Sequence, residues 1–272
     1  MTSTDATSSA RFDVRAFAGT ARGNLRPELQ LEAYDGAQLP GDAVHLLRYL
    51  GRLESATMEQ LRNLLVTATH KDARVTAFLV TWAFEKFWIA DAIDQILVAN
   101  GSTGAQVGDE GAPRSDRSES AERRGPIRRA IFAMGQGVPL TGVHMTTGLV
   151  DEWVMGTAYA RLDALAGHPT LSATIDTIRG IKSRHESFFN EEARRRLADS
   201  SKTVRQAASH LAHAAWPIGA VDRSDADRTF FEQTVFGGAD GLQRATTIGN
   251  RVAELPGLTP QIGDAVARKL RS

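Results

Sequence analysis

Charged side chains interrupt four stripes of apolar residues that recur at helical spacing along this sequence. Glu54, Lys86, Glu152 and Lys182 each occupy a stripe position near the middle of a long segment, and His185 follows Lys182 on the same stripe. Because an apolar stripe with a period of about 3.6 residues faces the interior of a helical domain, we expect these side chains to be buried. Carboxylate, ammonium and imidazole groups in a shared interior are suited to acid–base chemistry.

The second of these segments fits two registers. In one register Lys86 shares a stripe with Trp82 and Ile89, and in the other Glu85 shares a stripe with Trp82 and Trp88. The first register directs Lys86 into the domain, whereas the second leaves Glu85 at the edge of an interior cavity. Both registers remain open at this point. The candidate catalytic residues are therefore His185, Lys182, Lys86, Glu54, Glu152 and Glu85.

The four charged stripe residues are expected to neutralise one another. A buried charge without a partner costs several kcal/mol, so two carboxylates and two ammonium groups at similar depth should meet. Their spacing also repeats, because Glu54 precedes Lys86 by 32 positions and Glu152 precedes Lys182 by 30. The sequence therefore predicts a buried salt-bridged cluster between two related helix pairs.

Long helical segments must position these residues. Apolar periodicity of the helical type runs over residues 42–68, 72–98, 141–166 and 169–198. A fifth helix, capped by Ser200 or Ser201, is predicted to reach Trp216 and to stop at Pro217. Gly, Ser and charged residues dominate 100–126, which indicates a mobile crossover loop. Shorter helices are predicted near 127–134 and over 223–235, 239–253 and 259–270.

The predicted fold class is all-α, because no segment has the apolar alternation of a β-strand. Three parts are expected along the chain. Residues 1–40 form an irregular lead-in in which we expect no chemistry. Residues 41–216 form a bundle of four long helices, joined as pair, crossover and pair, together with the fifth helix. Residues 217–272 form a helical C-terminal annex.

The order of the charged residues resembles that of ferritin-like di-iron proteins, which hold two metals with a Glu and then a Glu-x-x-His, twice over. The second half of the chain is the more similar, through DEWV, which contains Glu152, and KSRHESFFNEEARRRL, which contains Lys182 and His185. The latter looks like the fourth helix of actinobacterial ferritin-like proteins related to desaturases and oxygenases. The first half is similar through RLESATMEQLRNLL and TWAFEKFWIADAI. The resemblance extends from about residue 40 to the C-terminus, including WPIGAVD and VFGGADG.

The resemblance implies a ferritin-like four-helix bundle with a degenerate metal site. Three of the six implied ligand positions keep a suitable residue: Glu54, Glu152 and His185. The other three positions are occupied by Lys86, Ile89 and Lys182. In the alternative register, Glu85 and Trp88 take the places of Lys86 and Ile89. The first histidine is missing in either register. A protonated lysine has no lone pair for a metal. We therefore predict a metal-free protein without a cofactor, in which ammonium groups replace the metal charge.

Composition argues against several other classes of protein. Lys and Arg total 32, as do Asp and Glu, so there is no basic excess for binding nucleic acid or an anionic membrane. The absence of cysteine excludes disulfides and thiolate metal sites. The sequence begins without a signal-peptide pattern and has no apolar run of about 20 residues, so we expect a cytoplasmic protein outside the membrane. A homo-oligomer is compatible with the sequence.

Other histidines and aromatic residues are weaker candidates. His210 and His213 lie three positions apart but lack further metal ligands. His144 is expected near the mouth of the cavity, and His168 at the start of a helix. A group of aromatic residues is expected to form the core or to wall an apolar pocket: Trp82, Phe84, Phe87, Trp88, Phe188 and Phe189.

Three functional hypotheses follow from these patterns. In the first, a metal-free ferritin-like protein reuses its cavity to bind a small apolar molecule or to perform acid–base chemistry, with His185 as the proton carrier. In the second, the protein is a non-catalytic structural or interaction protein, and the cluster fixes the helix register. In the third, a residual oxygenase or oxidase keeps one metal through Glu54, Glu152 and His185.

Overall fold

The computed structural model describes residues 11–102 and 138–271, and every regular element within those ranges is helical. The all-α prediction is therefore confirmed for this part of the chain. The α-helices are α1 (Val14–Gly19), α2 (Gly41–Ser55), α3 (Thr57–Leu65), α4 (Ala73–Ala99), α5 (Val138–Ala166), α6 (Pro169–Asp199), α7 (Ser201–His213), α8 (Asp225–Phe236), α9 (Gly238–Ala253) and α10 (Pro260–Lys269). Short 3₁₀ turns occur at Arg26–Glu28, Leu31–Tyr34, Ala68–Lys71 and Ala220–Asp222.

Side chains accept hydrogen bonds from free backbone N–H groups at the start of several of these helices, including three of the long or predicted ones. Asp72 caps α4, His168 caps α6 and Ser200 caps α7, each by accepting a hydrogen bond from a backbone N–H in the first turn. Pro169 occupies the first position of α6, where its missing N–H costs nothing. The predicted capping roles of His168 and of Ser200 are confirmed.

The segment predicted as one helix over 42–68 is two helices. Helix α2 ends at Ser55 and α3 begins at Thr57, so the helix is interrupted at Ala56. Just after this break Thr57 is buried, whereas Met58 is 51% exposed. The fifth predicted helix also ends earlier than expected, at His213 rather than Trp216.

The N-terminal lead-in is more regular than predicted. It contains α1, and Phe17 of that helix is buried in a stack against Phe78 of α4, with ring centroids 5.2 Å apart. This contact holds the segment against the long helices. Most of the predicted crossover at 100–126, from residue 103 onward, and the helix predicted near 127–134 lie outside the described residues.

Helix packing brings the charged stripes together. Helix α4 packs along α2 and α3, α5 packs along α6, and contacts of α2 with α5 and of α4 with α6 join the two pairs. Helices α7, α8 and α9 contact the second pair, α10 packs on α7 and α9, and the buried apolar side chains form a common core. Among residues 11–102 and 138–271, no helix combines the length and apolar character needed to cross a membrane.

Candidate functional site

The four charged stripe residues form a buried salt-bridged cluster, as predicted. The two carboxylate oxygens of Glu54 lie 3.1 Å from Lys86 Nζ and 3.2 Å from Lys182 Nζ. Lys182 Nζ is also 2.9 Å from a carboxylate oxygen of Glu152. All four side chains are almost completely removed from solvent. Each comes from a different helix, in the order α2, α4, α5 and α6, so the cluster joins all four.

Pairing keeps Glu54, Glu152 and Lys182 ionised in spite of burial. Burial by itself raises the pKa of Glu54, but the ammonium groups of Lys182 and Lys86 outweigh it and hold that pKa below its ordinary value. Burial likewise raises the pKa of Glu152, but Lys182 and His185 lower it by more, so the net shift is downward. Burial lowers the pKa of Lys182, but Glu152 and Glu54 reverse the effect and the net shift is upward. The contacts of Lys182 with Glu54 and Glu152 are therefore ion pairs between charged groups.

Glu85 and Lys86 are both buried, so the structure combines the two predicted registers of this helix. Glu85 was predicted to lie at the edge of the cavity, but it is fully buried and belongs to the same network. One of its carboxylate oxygens lies 2.7 Å from His185 Nε2, and the other forms an ion pair with Arg184. The position three residues after Lys86 is the fully buried Ile89, whereas Trp88 is half-buried.

His185 lies between the carboxylates of Glu85 and Glu152. Because the Glu85 carboxylate accepts hydrogen bonds, Nε2 of His185 is assigned as the donor, which leaves Nδ1 unprotonated in the neutral ring. Nδ1 is 3.7 Å from the nearest carboxylate oxygen of Glu152, beyond hydrogen-bond distance. The network then contains three carboxylates and three permanent cations, and its charges cancel when the imidazole is neutral.

Several residues of the network were not predicted. The hydroxyl of Tyr159 donates to Glu54 at 3.0 Å, and the indole N–H of Trp82 donates to Glu152 at 3.3 Å. Asp151 is buried nearby but outside the network: it accepts a hydrogen bond from the backbone N–H of Ile218, and burial raises its pKa to about 6. Tyr159 follows Glu152 by seven positions, two helical turns, so its place on the same face could be found from the sequence. Arg184 lies on no stripe and reaches Glu85 through its long side chain.

The N-terminal lead-in also contributes to the site, contrary to the prediction. The backbone N–H of Arg22 donates to Glu85 at 2.7 Å, and Arg184 donates to the backbone carbonyl of Thr20. The ring of Phe17 contacts the imidazole of His185 edge-on, with centroids 6.0 Å apart. Residues 17–22 therefore cover the Glu85–His185 pair.

An open cleft of about 820 Å³ between α5, α6 and α9 reaches the network from outside. Glu152 and Lys182 are among the residues that line it, whereas His185, Glu85, Glu54 and Lys86 are not. Within the described part of the chain, the network therefore borders this cleft at the Glu152–Lys182 ion pair.

The remaining candidates lie elsewhere. His144 Nδ1 contacts the hydroxyl of Thr69 at 2.8 Å, away from the charge network, and His213 Nδ1 contacts the carbonyl of Ser209. Phe84 and Phe87 were predicted as core or pocket wall, but they are 45% and 51% exposed because they lie on the outer face of α4. No group of three His, Asp or Glu residues suited to hold a metal occurs among the described residues.

Comparison with known proteins yields no match: no family model fits the chain, and no curated protein and no solved structure is significantly similar to it.

Proposed function

We propose that this chain is a metal-independent binding protein on a ferritin-like arrangement of four helices, in which a buried charge network takes the place of two metals. One observation carries the proposal. The ammonium group of Lys182 lies between the carboxylates of Glu54 and Glu152, at 3.2 and 2.9 Å. In a dimetal site of this type a cation occupies the corresponding position between carboxylates.

The position of Lys86 supports the same conclusion. It contacts the second oxygen of Glu54, so both oxygens of this carboxylate are already occupied by ammonium groups. Metal binding at Glu54 would require displacement of both lysines, and a protonated lysine repels the incoming ion. This favours loss of metal over the residual oxygenase that keeps one metal on Glu54, Glu152 and His185.

The network also supports a structural role. Because its four central charges come from four helices, removing one leaves a buried partner uncompensated, at a cost of several kcal/mol. The network thus fixes the relative positions of α2, α4, α5 and α6. Binding is assigned to the open cleft, which the Glu152–Lys182 pair borders. The charged lining of this cleft favours a polar ligand over the small apolar molecule predicted from the sequence.

Acid–base chemistry is a second candidate, and the 2.7 Å contact between Glu85 and His185 favours it. A carboxylate that orients an imidazole is a common arrangement for a general base. His185 is fully buried beneath Phe17, so this function requires residues 17–22 to move away from the site.

Elemental analysis of the purified protein tests the main proposal. We expect no stoichiometric transition metal after growth with added iron and manganese, and no change in melting temperature on addition of a chelator. Two metal ions per chain, lost to the chelator together with stability, would contradict the proposal. One metal per chain would instead favour the residual oxygenase.

A further inference from the structure

The cleft between α5, α6 and α9 has an open floor because two helices present glycine there. Gly156 of α5 and Gly180 of α6 line it, and a Cβ atom added at either position would meet nothing within 4 Å. The volume of about 820 Å³ is within the range of small-molecule sites. Space for a ligand therefore exists in a cleft that the Glu152–Lys182 ion pair borders.

The charges that line this cleft have a positive excess. Five cations and three carboxylates line it, a formal balance of +2. The cations are Arg161, Arg179, Lys182, Arg244 and Arg251. Two of the carboxylates already have partners, since Glu152 is paired with Lys182, and Glu186 contacts both Arg251 and the indole N–H of Trp153. Lys182 also pairs with Glu54, and Arg179 lies 3.8 Å from Asp176, so among the described residues the cleft cations without a carboxylate partner are Arg161 and Arg244.

Two of the arginines are held in place without a carboxylate. Nε of Arg161 donates to the carbonyl of Thr234 at 3.0 Å, and Nε of Arg244 donates to the carbonyl of Val235 at 2.7 Å. Because these carbonyls are consecutive in the last turn of α8, both guanidinium groups are anchored at the same place. Neither has a carboxylate within 4.0 Å or a second hydrogen bond among the described residues, so their terminal N–H groups are free to donate.

We infer that this cleft binds a small organic oxyanion, with its carboxylate or phosphate group on the terminal N–H groups of Arg161 and Arg244. Guanidinium groups bind such groups through paired charge-assisted hydrogen bonds. The organic part lies along the glycine floor, towards the Glu152–Lys182 pair. The inference rests on the ligand-binding part of the proposed function and not on the absence of metal.

Calorimetric titration with phenyl phosphate and with benzoate tests the inference, because the two probes share a ring and differ in the oxyanion. We expect saturable binding of at least one probe, and the stronger one identifies the preferred group. The Arg161→Gln/Arg244→Gln variant should bind it about tenfold more weakly or worse, since it loses charge-assisted hydrogen bonds. Arg15→Gln removes the same charge from an exposed position outside the cleft and should bind like the parent.

A second variant keeps the test decisive if the double arginine variant unfolds. Gly156→Leu fills the floor of the cleft, should fold because its Cβ has open space and leucine favours helix, and should weaken binding of the same probe. Gly41→Leu, also with open space around its Cβ, is the matched control. Lack of saturable binding of both probes, or equal binding by the parent and Gly156→Leu, would overturn the inference. If the protein is also found to be metal-free, that result would overturn the oxyanion site alone and not the proposal that the charge network replaces metals.

Discussion

Lys182 neutralises two buried carboxylates at once. Its ammonium group contacts Glu54 and Glu152, and both carboxylates keep a lowered pKa only because positive charge is close to them. An uncharged side chain at position 182 would leave Glu152 with only the more distant His185 and a hydrogen bond from Trp82. Lys182 is therefore the residue whose loss should affect the protein most.

The Lys182→Met variant should lower the free energy of unfolding by about 3 kcal/mol or more, because it removes one partner of buried ion pairs. Adding Glu152→Gln should restore part of that loss, since it removes one of the two carboxylates left behind. Urea denaturation of the parent, single and double variants measures these differences. Lys202→Met, at an exposed position on α7, should change little. A Lys182→Met protein as stable as the parent would show that the ion pairs contribute nothing.

Residues of the site could be predicted from sequence where they lie on an apolar stripe. Glu54, Lys86, Glu152, Lys182 and His185 interrupt stripes, and all five are buried in one network. Arg184 and the backbone of Arg22 could not be predicted in this way. Their contacts with Glu85 depend on how α6 and the N-terminal segment pack against α4, which no local periodicity encodes.

The packing of helix α4 explains why two registers fit its sequence. The helix is covered by α1 on one side and by α2, α3 and α6 on others, so adjacent residues of its sequence are buried on different neighbours. Lys86 contacts Glu54 of α2, while Glu85 contacts His185 of α6. The break between α2 and α3 was missed for a related reason. Apolar spacing continues through Ala56, and no glycine or proline marks the end of α2 there.

His144 connects α5 to the 3₁₀ turn Ala68–Lys71 and should make stability depend on pH. Burial, with a smaller effect of His210, lowers the pKa of His144 to about 4. Since the ordinary histidine value is about 6.5, the unfolded chain takes up the proton first, and stability should fall as pH decreases from about 6.5 to 4. An NMR titration should show the ring of His144 still neutral at pH 5.

The control for this prediction compares the slope of stability against pH in two variants. His144→Gln should reduce the loss of stability between pH 6.5 and 4, whereas His213→Gln, at an exposed position, should not. Asp151 acts in the opposite sense over a similar range, because burial raises its pKa to about 6, so only the difference between variant and parent is informative. A His144 ring that titrates near pH 6.5 would contradict the prediction.

At the scale of the whole molecule, the network exists only when distant parts of the chain are assembled. The contact between Lys182 and Glu54 joins residues 128 positions apart, and that between His185 and Glu85 joins residues 100 apart. The sequence could predict most helices, because periodicity and capping are local, and it could predict that the buried charges must pair. It could not predict the complete set of partners, or the cleft that α9 forms with α5 and α6.

Metal uptake by the parent and by one designed variant tests most directly whether the two lysines replace metals. Lys86→Glu, Ile89→His and Lys182→Glu together would complete two sets of Glu and Glu-x-x-His on the four helices. We predict that the parent binds neither iron nor manganese and that the triple variant binds one of them weakly, since surrounding groups are not adapted to metal. Uptake by Trp88→His/Lys182→Glu instead of the triple variant would assign the ligand position to Glu85. Stoichiometric metal binding by the parent would contradict the replacement of metals by lysine. Failure of all three proteins to bind metal would contradict it as well.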